Sequence, residues 1–336
     1  MSADALGTLL QQPLQFPGAH SALAPAGPQA ERVHALWQFM WIVSAVVWVV
    51  VVLAALYATF RRRMPAVDAP LEQREPLSSG GPGMLTAVIG ATAATIVVLF
   101  VFLILDFRTG RALTTPPAGA LPIKVTGHQW WWDVQYPSSR PDQIVTTANE
   151  IHVPIGRPVV LELASADVIH SFWPPNLVGK RDLIPGYTST LWFRADSAGL
   201  YRGQCAEFCG YQHAKMAFYI VAEPPEKFTA WLAQQRDSAH TPADSLTRRG
   251  REVFLSSSCV MCHSIQGTPA GSRVGPDLTH LGSRLTIAAG TLPNTRGNLA
   301  GWIVDPQSIK PGAEMPSNQI SPDDLQALLA YLETLR

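Results

Sequence analysis

The sequence predicts a multidomain chain in three parts: a two-helix transmembrane hairpin, an all-β sandwich or barrel and an all-α C-terminal domain. Three observations carry this. Two long stretches without a charged residue lie in the first third of the chain. Between about residues 121 and 221, short runs rich in Val, Ile, Trp, Tyr and Phe alternate with Gly and Pro, the texture of short strands joined by turns. From Asp244 onward the pattern becomes helical. Composition agrees: of 336 residues, 47% are hydrophobic and 15% charged, an imbalance that fits membrane segments better than a larger soluble core. Formal net charge is zero, so bulk charge indicates no nucleic-acid partner.

Residues 1–33, rich in Ala, Pro, Gly and Gln, read as an extended N-terminal segment. They make a poor signal peptide, because the early apolar run is short and no basic stretch precedes it. The hairpin occupies residues 34–110, with spans at about 36–60 and 84–105. Each is long enough at helical rise to cross a bilayer. A single run could be a buried core helix or a signal anchor; two together indicate a hairpin in contact with membrane lipid. The connecting loop carries Arg61, Arg62, Arg63 and Arg74, whereas Arg108 and Arg111 flank the second span. The positive-inside rule then puts the loop in the cytoplasm and both soluble domains outside. The expected location is a bacterial inner (cell) membrane, crossed more than once, with the domains on its periplasmic side.

The β domain should cover residues 111–222, a Pro-bearing linker with a short helical stretch 223–243, and the helical domain 244–336. Ser321 reads as the N-cap of the last helix, with Pro322 at its first position and Asp323 and Asp324 in its first turn. Leu325, Leu328, Leu329 and Leu332 form its apolar stripe.

The four cysteines fall in two tight pairs, each near a histidine. This suggests two cofactor sites rather than a disulfide framework. The first string, Cys205-Ala-Glu207-Phe-Cys209-Gly-Tyr-Gln-His213-Ala-Lys-Met216, packs two thiols, an imidazole and a thioether into twelve residues; His170 lies upstream. A Cys205–Cys209 disulfide would leave His213 and Met216 unexplained. A tetrahedral zinc site would have no use for Met216. A mononuclear blue-copper site would use one Cys, two His and Met. Two thiolates can instead bridge two copper ions, each capped by one His. Sharing one electron over two metals needs little reorganisation, which suits electron relay.

On these residues the stretch resembles subunit II of cytochrome c oxidase, with its CuA motif C-x-E-x-C-G-x-x-H-x-x-M. The likeness extends over residues 30–222 and includes the hairpin. It implies an all-β cupredoxin-like Greek-key sandwich whose two copper ions are held by His170, Cys205, the Glu207 carbonyl, Cys209, His213 and Met216. It also implies a magnesium ion, shared with subunit I, reached by the Glu207 side chain. The run Gly127-His128-Gln129-Trp130-Trp131-Trp132 resembles the family too, and gives Trp130 the role of admitting electrons between a docked cytochrome and the copper. If the three tryptophans lay in one strand they would alternate between its faces. One departure stands out: many members carry a glutamate near the start of the second span, at the mouth of a proton path. Residues 78–90 here hold no carboxylate, and Glu72 and Glu75 lie earlier.

Cys259-Val-Met-Cys262-His263 is the c-type haem attachment pattern: two thiols for the vinyl groups and His263 for the iron. Met315 is the candidate opposite ligand, because Met261 lies inside the attachment turn and cannot reach the far face. Gly275-Pro276-Asp277-Leu278 looks like the turn that follows this motif in class I cytochromes c. The remaining histidines, His20, His34, His128, His152, His240 and His280, show no partner pattern and read as surface or packing residues.

A cytochrome c fused to such a copper domain is similar to subunit II of caa3-type haem–copper oxidases, where the linker keeps donor and acceptor at high local concentration. The resemblance implies a proton-pumping oxidase whose oxygen site lies on subunit I. Electrons would come from cytochrome c or a quinol–cytochrome c reductase. A CuA-bearing nitric oxide reductase subunit is the alternative. A membrane copper carrier for oxidase assembly is a weaker one, since its His would follow the cysteines and it would need neither Met216 nor haem.

Overall fold

The computed structural model describes residues 20–61 and 82–336. The loop residues Arg62, Arg63, Glu72, Arg74 and Glu75, and residues 1–19 of the N-terminal segment, lie outside them. The described chain falls into two compact units, one of residues 32–113 and one comprising the N-terminal residues with 114–336.

The first unit is two long helices. Helix α1 runs Pro28–Arg61 and α2 runs Pro82–Thr114. Both windows are strongly apolar, with mean hydropathy 2.7 and 2.8, and neither is covered by protein. The rings of Phe39 and Phe102 pair at 4.9 Å. At about 1.5 Å per residue these helices far exceed the roughly 30 Å of a bilayer core. Both extend past the apolar runs. Helix α1 begins six residues before the expected hairpin start at 34, so the N-terminal segment is not extended throughout. Its last residues are pinned to the β domain instead: Ala26 N–H donates to Asn176 O, Asp196 N–H to Ala26 O, and Arg194 N–H to Gln29 Oε1.

In the second unit, ten strands form two five-stranded sheets. They are β1 (Leu121–His128), β2 (Trp131–Tyr136), β3 (Val145–Ala148), β4 (Glu150–Pro154), β5 (Val159–Ser165), β6 (His170–Trp173), β7 (Arg181–Leu183), β8 (Ser189–Phe193), β9 (Gly199–Cys205) and β10 (Ala217–Glu223). Their orders are β3-β2-β1-β5-β8 and β4-β10-β9-β6-β7. The chain switches sheets repeatedly, giving Greek-key wiring with parallel pairs at β1–β5 and β4–β10. Alternate residues of β1 and β5 (Ile123, Val125, Leu161, Leu163) point inward and are fully buried, as period-two patterning requires. The centre of the sandwich is aromatic: Phe172 stacks on Phe218 at 4.1 Å, and Trp132 meets both edge-on.

The tryptophan run is not one strand. Gln129 and Trp130 form the turn of a β1–β2 hairpin, with His128 opposite Trp131. Trp132 therefore enters the core, while Trp131 stacks on His128.

Helix α3 (Pro225–Gln234) follows β10. Its Trp231 stacks on His152 at 4.0 Å and meets Tyr136 edge-on. His152 also bonds Glu223 at 2.9 Å, so it has partners that the sequence did not reveal.

The C-terminal domain opens with α4 (Ser245–Ser256), N-capped by Asp244, which accepts from Thr247 N–H at 3.0 Å. The haem pattern begins in a 3₁₀ turn, Ser258–Met261. A two-stranded ribbon, β11 (Thr286–Ile287) with β12 (Leu292–Pro293), interrupts the otherwise helical domain. Helices α5 (Arg296–Val304), α6 (Pro306–Ile309) and α7 (Pro322–Thr334) complete it. Ser321 caps α7 through the Asp324 N–H. Phe254, Leu299, Ile303, Leu328 and Leu332 make the core.

Candidate metal and haem centres

His170 begins β6, Cys205 ends β9, and the loop from there to β10 carries Glu207, Cys209, His213 and Met216. Strands β6 and β9 are hydrogen-bonded neighbours, so the sheet delivers His170 to the cysteine loop across 35 residues of sequence. Cys205 Sγ lies 3.7 Å from Cys209 Sγ, 3.9 Å from His170 Nδ1 and 3.2 Å from Glu207 O. Cys209 Sγ lies 3.7 Å from His213 Nδ1 and 3.8 Å from Met216 Sδ. Both cysteines are free, and both are buried with His170 and Met216. The side chain of Glu207 is exposed.

Metal–sulfur and metal–nitrogen bonds of about 2.3 and 2.1 Å place neighbouring donors on one metal roughly 3.5–3.8 Å apart; the Cys205–Cys209, Cys209–His213 and Cys209–Met216 spacings fall in that range, and those from Cys205 to His170 and to Glu207 lie just above and below it. Six donors converge, so one tetrahedral ion would leave two idle. A soft, sulfur-rich set of this size fits two copper ions. Without metal, the S–H of Cys209 beside it pushes Cys205 down to about 4, against burial and with help from His170. The thiolate so formed, with burial, pushes Cys209 far up. The pair alone thus carries one negative charge, and a bound cation offsets the resistance to the second.

Two supports were not read from the sequence. Asp167 Oδ1 lies 2.8 Å from His170 Nε2, which fixes the ring and leaves Nδ1 facing the thiols. Burial works against a protonated His170, but Cys205 and Asp167 outweigh it and raise its pKa. Gly127 supplies room: a Cβ there would sit 2.8 Å from His170 Cδ2. An Asp three residues before the ligand His was the one available signal for Asp167. Trp130, 8% exposed, donates its Nε1–H to Cys209 O at 2.9 Å, and Gln129 Nε2 donates to the same carbonyl at 2.8 Å.

The haem pattern surrounds an apolar cavity of about 450 Å³, lined by Cys259, Cys262, His263, Leu299, Leu328 and Met315. His263 Nδ1 bonds Pro276 O at 2.7 Å, leaving Nε2 as the free ligand atom. Burial holds this imidazole in its neutral, ligating form. The wall includes Arg284 and Thr286, whose buried Nε and Oγ1 have no hydrogen-bond partner among the described residues. A flat apolar group bearing acidic substituents fits this combination. Trp130 and Lys310 also line the cavity. Lys310 Nζ donates to Trp130 O at 2.6 Å, and burial pushes its pKa down to about 7 although Cys209 opposes this.

A two-cysteine metal loop on a β-sandwich, beside a haem-sized cavity and following two apolar helices, defines a membrane-anchored electron-transfer protein. Residues 140–223 match the family described as cytochrome C oxidase subunit II, periplasmic domain, and residues 247–336 match cytochrome c. Cytochrome c oxidase subunit 2 of Alkalihalophilus pseudofirmus is 36% identical over 94% of this chain and 91% of that one. The Bacillus subtilis subunit 2 is 28% identical over 94% and 92%. The solved periplasmic domain of subunit II of cytochrome oxidase from Bradyrhizobium japonicum is 31% identical, covering 36% of this chain and 97% of that one at a TM-score of 0.34. The chain belongs to the cytochrome c oxidase subunit 2 family, in the form that carries a fused C-terminal cytochrome c domain. It is a component of an oxidoreductase complex, and its two domains imply a copper CuA centre and a haem.

Proposed function

We propose that this chain is the electron-transfer subunit of a proton-pumping cytochrome c oxidase. Electrons pass from an external donor, cytochrome c or a quinol–cytochrome c reductase, through the chain's own haem c to a binuclear CuA centre. From there they pass to subunit I, where oxygen is reduced. The observation that carries this reading is the convergence of six donors, two of them free thiols, next to the haem-sized cavity. His170, Cys205, the Glu207 carbonyl, Cys209, His213 and Met216 would hold the copper. Cys259 and Cys262 would hold the haem by thioethers, and His263 and Met315 would be its iron ligands. When bound, the groups supply reversible one-electron oxidation and reduction with little structural change.

The residues of the chain do the rest. Asp167 orients His170 at the copper site, and the Pro276 carbonyl orients His263 at the haem site. Trp130 touches the copper loop through Cys209 and lines the haem cavity, so electrons would enter the copper domain there from the fused cytochrome. Glu207, exposed at the loop, is available to a magnesium ion at a subunit I interface. Helices α1 and α2 would both cross the membrane, with the soluble domains on the periplasmic side.

The test is metal content and copper EPR of the purified full chain. Two coppers and one covalent haem per chain, with hyperfine structure from an electron shared by two copper nuclei, are expected. One zinc, or a mononuclear copper signal, would overturn the reading. A nitric oxide reductase role would appear as turnover of nitric oxide, and not oxygen, by the assembled complex.

A further inference from the structure

The C-terminal domain meets the copper domain along two loops. At the first, Glu150 Oε1 accepts the Leu285 and Thr286 N–H groups at 2.6 and 3.1 Å, and Ala217 N–H donates to Ala289 O at 3.0 Å. At the second, Gln212 Nε2 donates to Pro311 O at 2.7 Å and Lys215 Nζ donates to Ile309 O. Gln212 and Lys215 bracket His213, and the segment they grip leads directly to Met315.

Lys310 sits where these contacts meet. It is 3% exposed, and its Nζ donates to Trp130 O at 2.6 Å and to Ala288 O at 3.3 Å. One side chain therefore joins three elements: the loop before Met315, the loop at Ala288, and the aromatic turn that hydrogen-bonds the Cys209 carbonyl. An apolar side chain of similar length would fill the space with less desolvation cost. It would not fix the register of the two domains. A buried amine that spends its donors on backbone carbonyls of both is suited to setting geometry rather than to adding stability.

We propose that Lys310 is a positioning residue: it locks the Met315 loop to the Trp130 turn and so sets the gap that electrons cross between haem and copper. The proposal rests on the functional reading above. The transfer is of one electron, lost by a reduced haem and gained by an oxidised copper centre. No bond is made or broken, and no proton leaves Lys310.

The experiment uses the full chain in its assembled complex. Lys310→Met keeps the length and removes the donors. Losing one or two buried hydrogen bonds shifts an opening equilibrium by about tenfold. Deuterium uptake in peptides carrying Ala217, Leu285 and Thr286 should therefore quicken about tenfold, while peptides carrying Ile123 and Val134 stay unchanged. Haem-to-copper electron transfer after flash reduction should slow, with the haem spectrum and copper EPR unaltered. Uptake and transfer rates within twofold of the parent would overturn the proposal. Should Lys310→Met fail to assemble, amine-reactive labelling of the unmodified complex decides: Lys310 should resist a reagent that modifies the exposed Lys180 and Lys227, and labelling at their rate would refute the lock. Missing copper or haem signals in the parent chain would remove the functional reading, whereas the deuterium uptake would still report on Lys310.

Discussion

Asp133 offers a prediction whose sign and size both follow from its surroundings. It lies on β2, where burial raises its pKa from 3.8 to about 6, net of attraction to Arg273 and Arg284 and of repulsion from Asp277. A carboxyl raised on folding binds more protons in the folded state between those two values. Its contribution to stability is full below about pH 4 and is lost as pH rises through about 6. The shift of about two pKa units makes the loss about 3 kcal/mol above pH 6, and roughly half of that at pH 5. Asp133→Asn has no charge to desolvate and should escape it. Thermal unfolding of the full chain, followed at the haem Soret band, should give midpoints that coincide near pH 4. By pH 7.5 the variant should melt roughly 6–12 °C higher, taking about 2–4 °C per kcal/mol for a unit of this size. A difference that does not vary with pH, or a variant that melts lower at pH 7.5, would refute the electrostatic account of this site.

Other changes should act on the centres themselves. Asp167→Ala frees the His170 ring and should weaken copper retention by about 10–100-fold, read by competition with a chelator, with the β fold intact by circular dichroism. Gly127→Ala places a methyl 2.8 Å from His170 Cδ2, so the copper EPR should change while the haem spectrum does not. Asp244→Ala removes the α4 N-cap and should cost the cytochrome domain about 1 kcal/mol, seen as an earlier Soret transition.

What the sequence disclosed was local. Six candidate copper donors include five within twelve residues, and the haem pattern spans five, so spacing marks both candidate sites, while the pair of copper ions is what the family resemblance adds. The capped helix at Ser321 was equally plain, because its signals are adjacent. What stayed hidden depends on distance in sequence. Gln129 and Trp130 reach Cys209 across some eighty residues, and Lys310 reaches Trp130 across 180. No periodicity encodes such pairs. The tryptophan run illustrates the gap. Three identical residues in a row suggest one strand, yet the turn falls among them and sends Trp130, Trp131 and Trp132 to different surroundings. His152 reads as a surface or packing histidine, and the fold supplies the partners, Glu223 and Trp231, that the sequence does not name. Residues 24–30 read as part of an extended N-terminal segment, 1–33, because their partners Asn176 and Arg194 come some 150–165 residues later.

Helix α3 changes what the linker can do. With Trp231 stacked on His152 and Gln235 buried, the chain leaves the copper domain only at about residue 236. It is held again at Ala239, whose N–H donates to Gln266 O. Four residues of slack span about 14 Å at full stretch, short beside the roughly 30 Å breadth expected of a domain of some ninety residues. Once released from the seam, that domain could tilt like a cover on its spine but could not swing round to a distant partner and back. An outside carrier must therefore come to the haem where it already stands, so the rate-limiting collision would belong to the visitor and the internal hop would be indifferent to how concentrated the oxidase is.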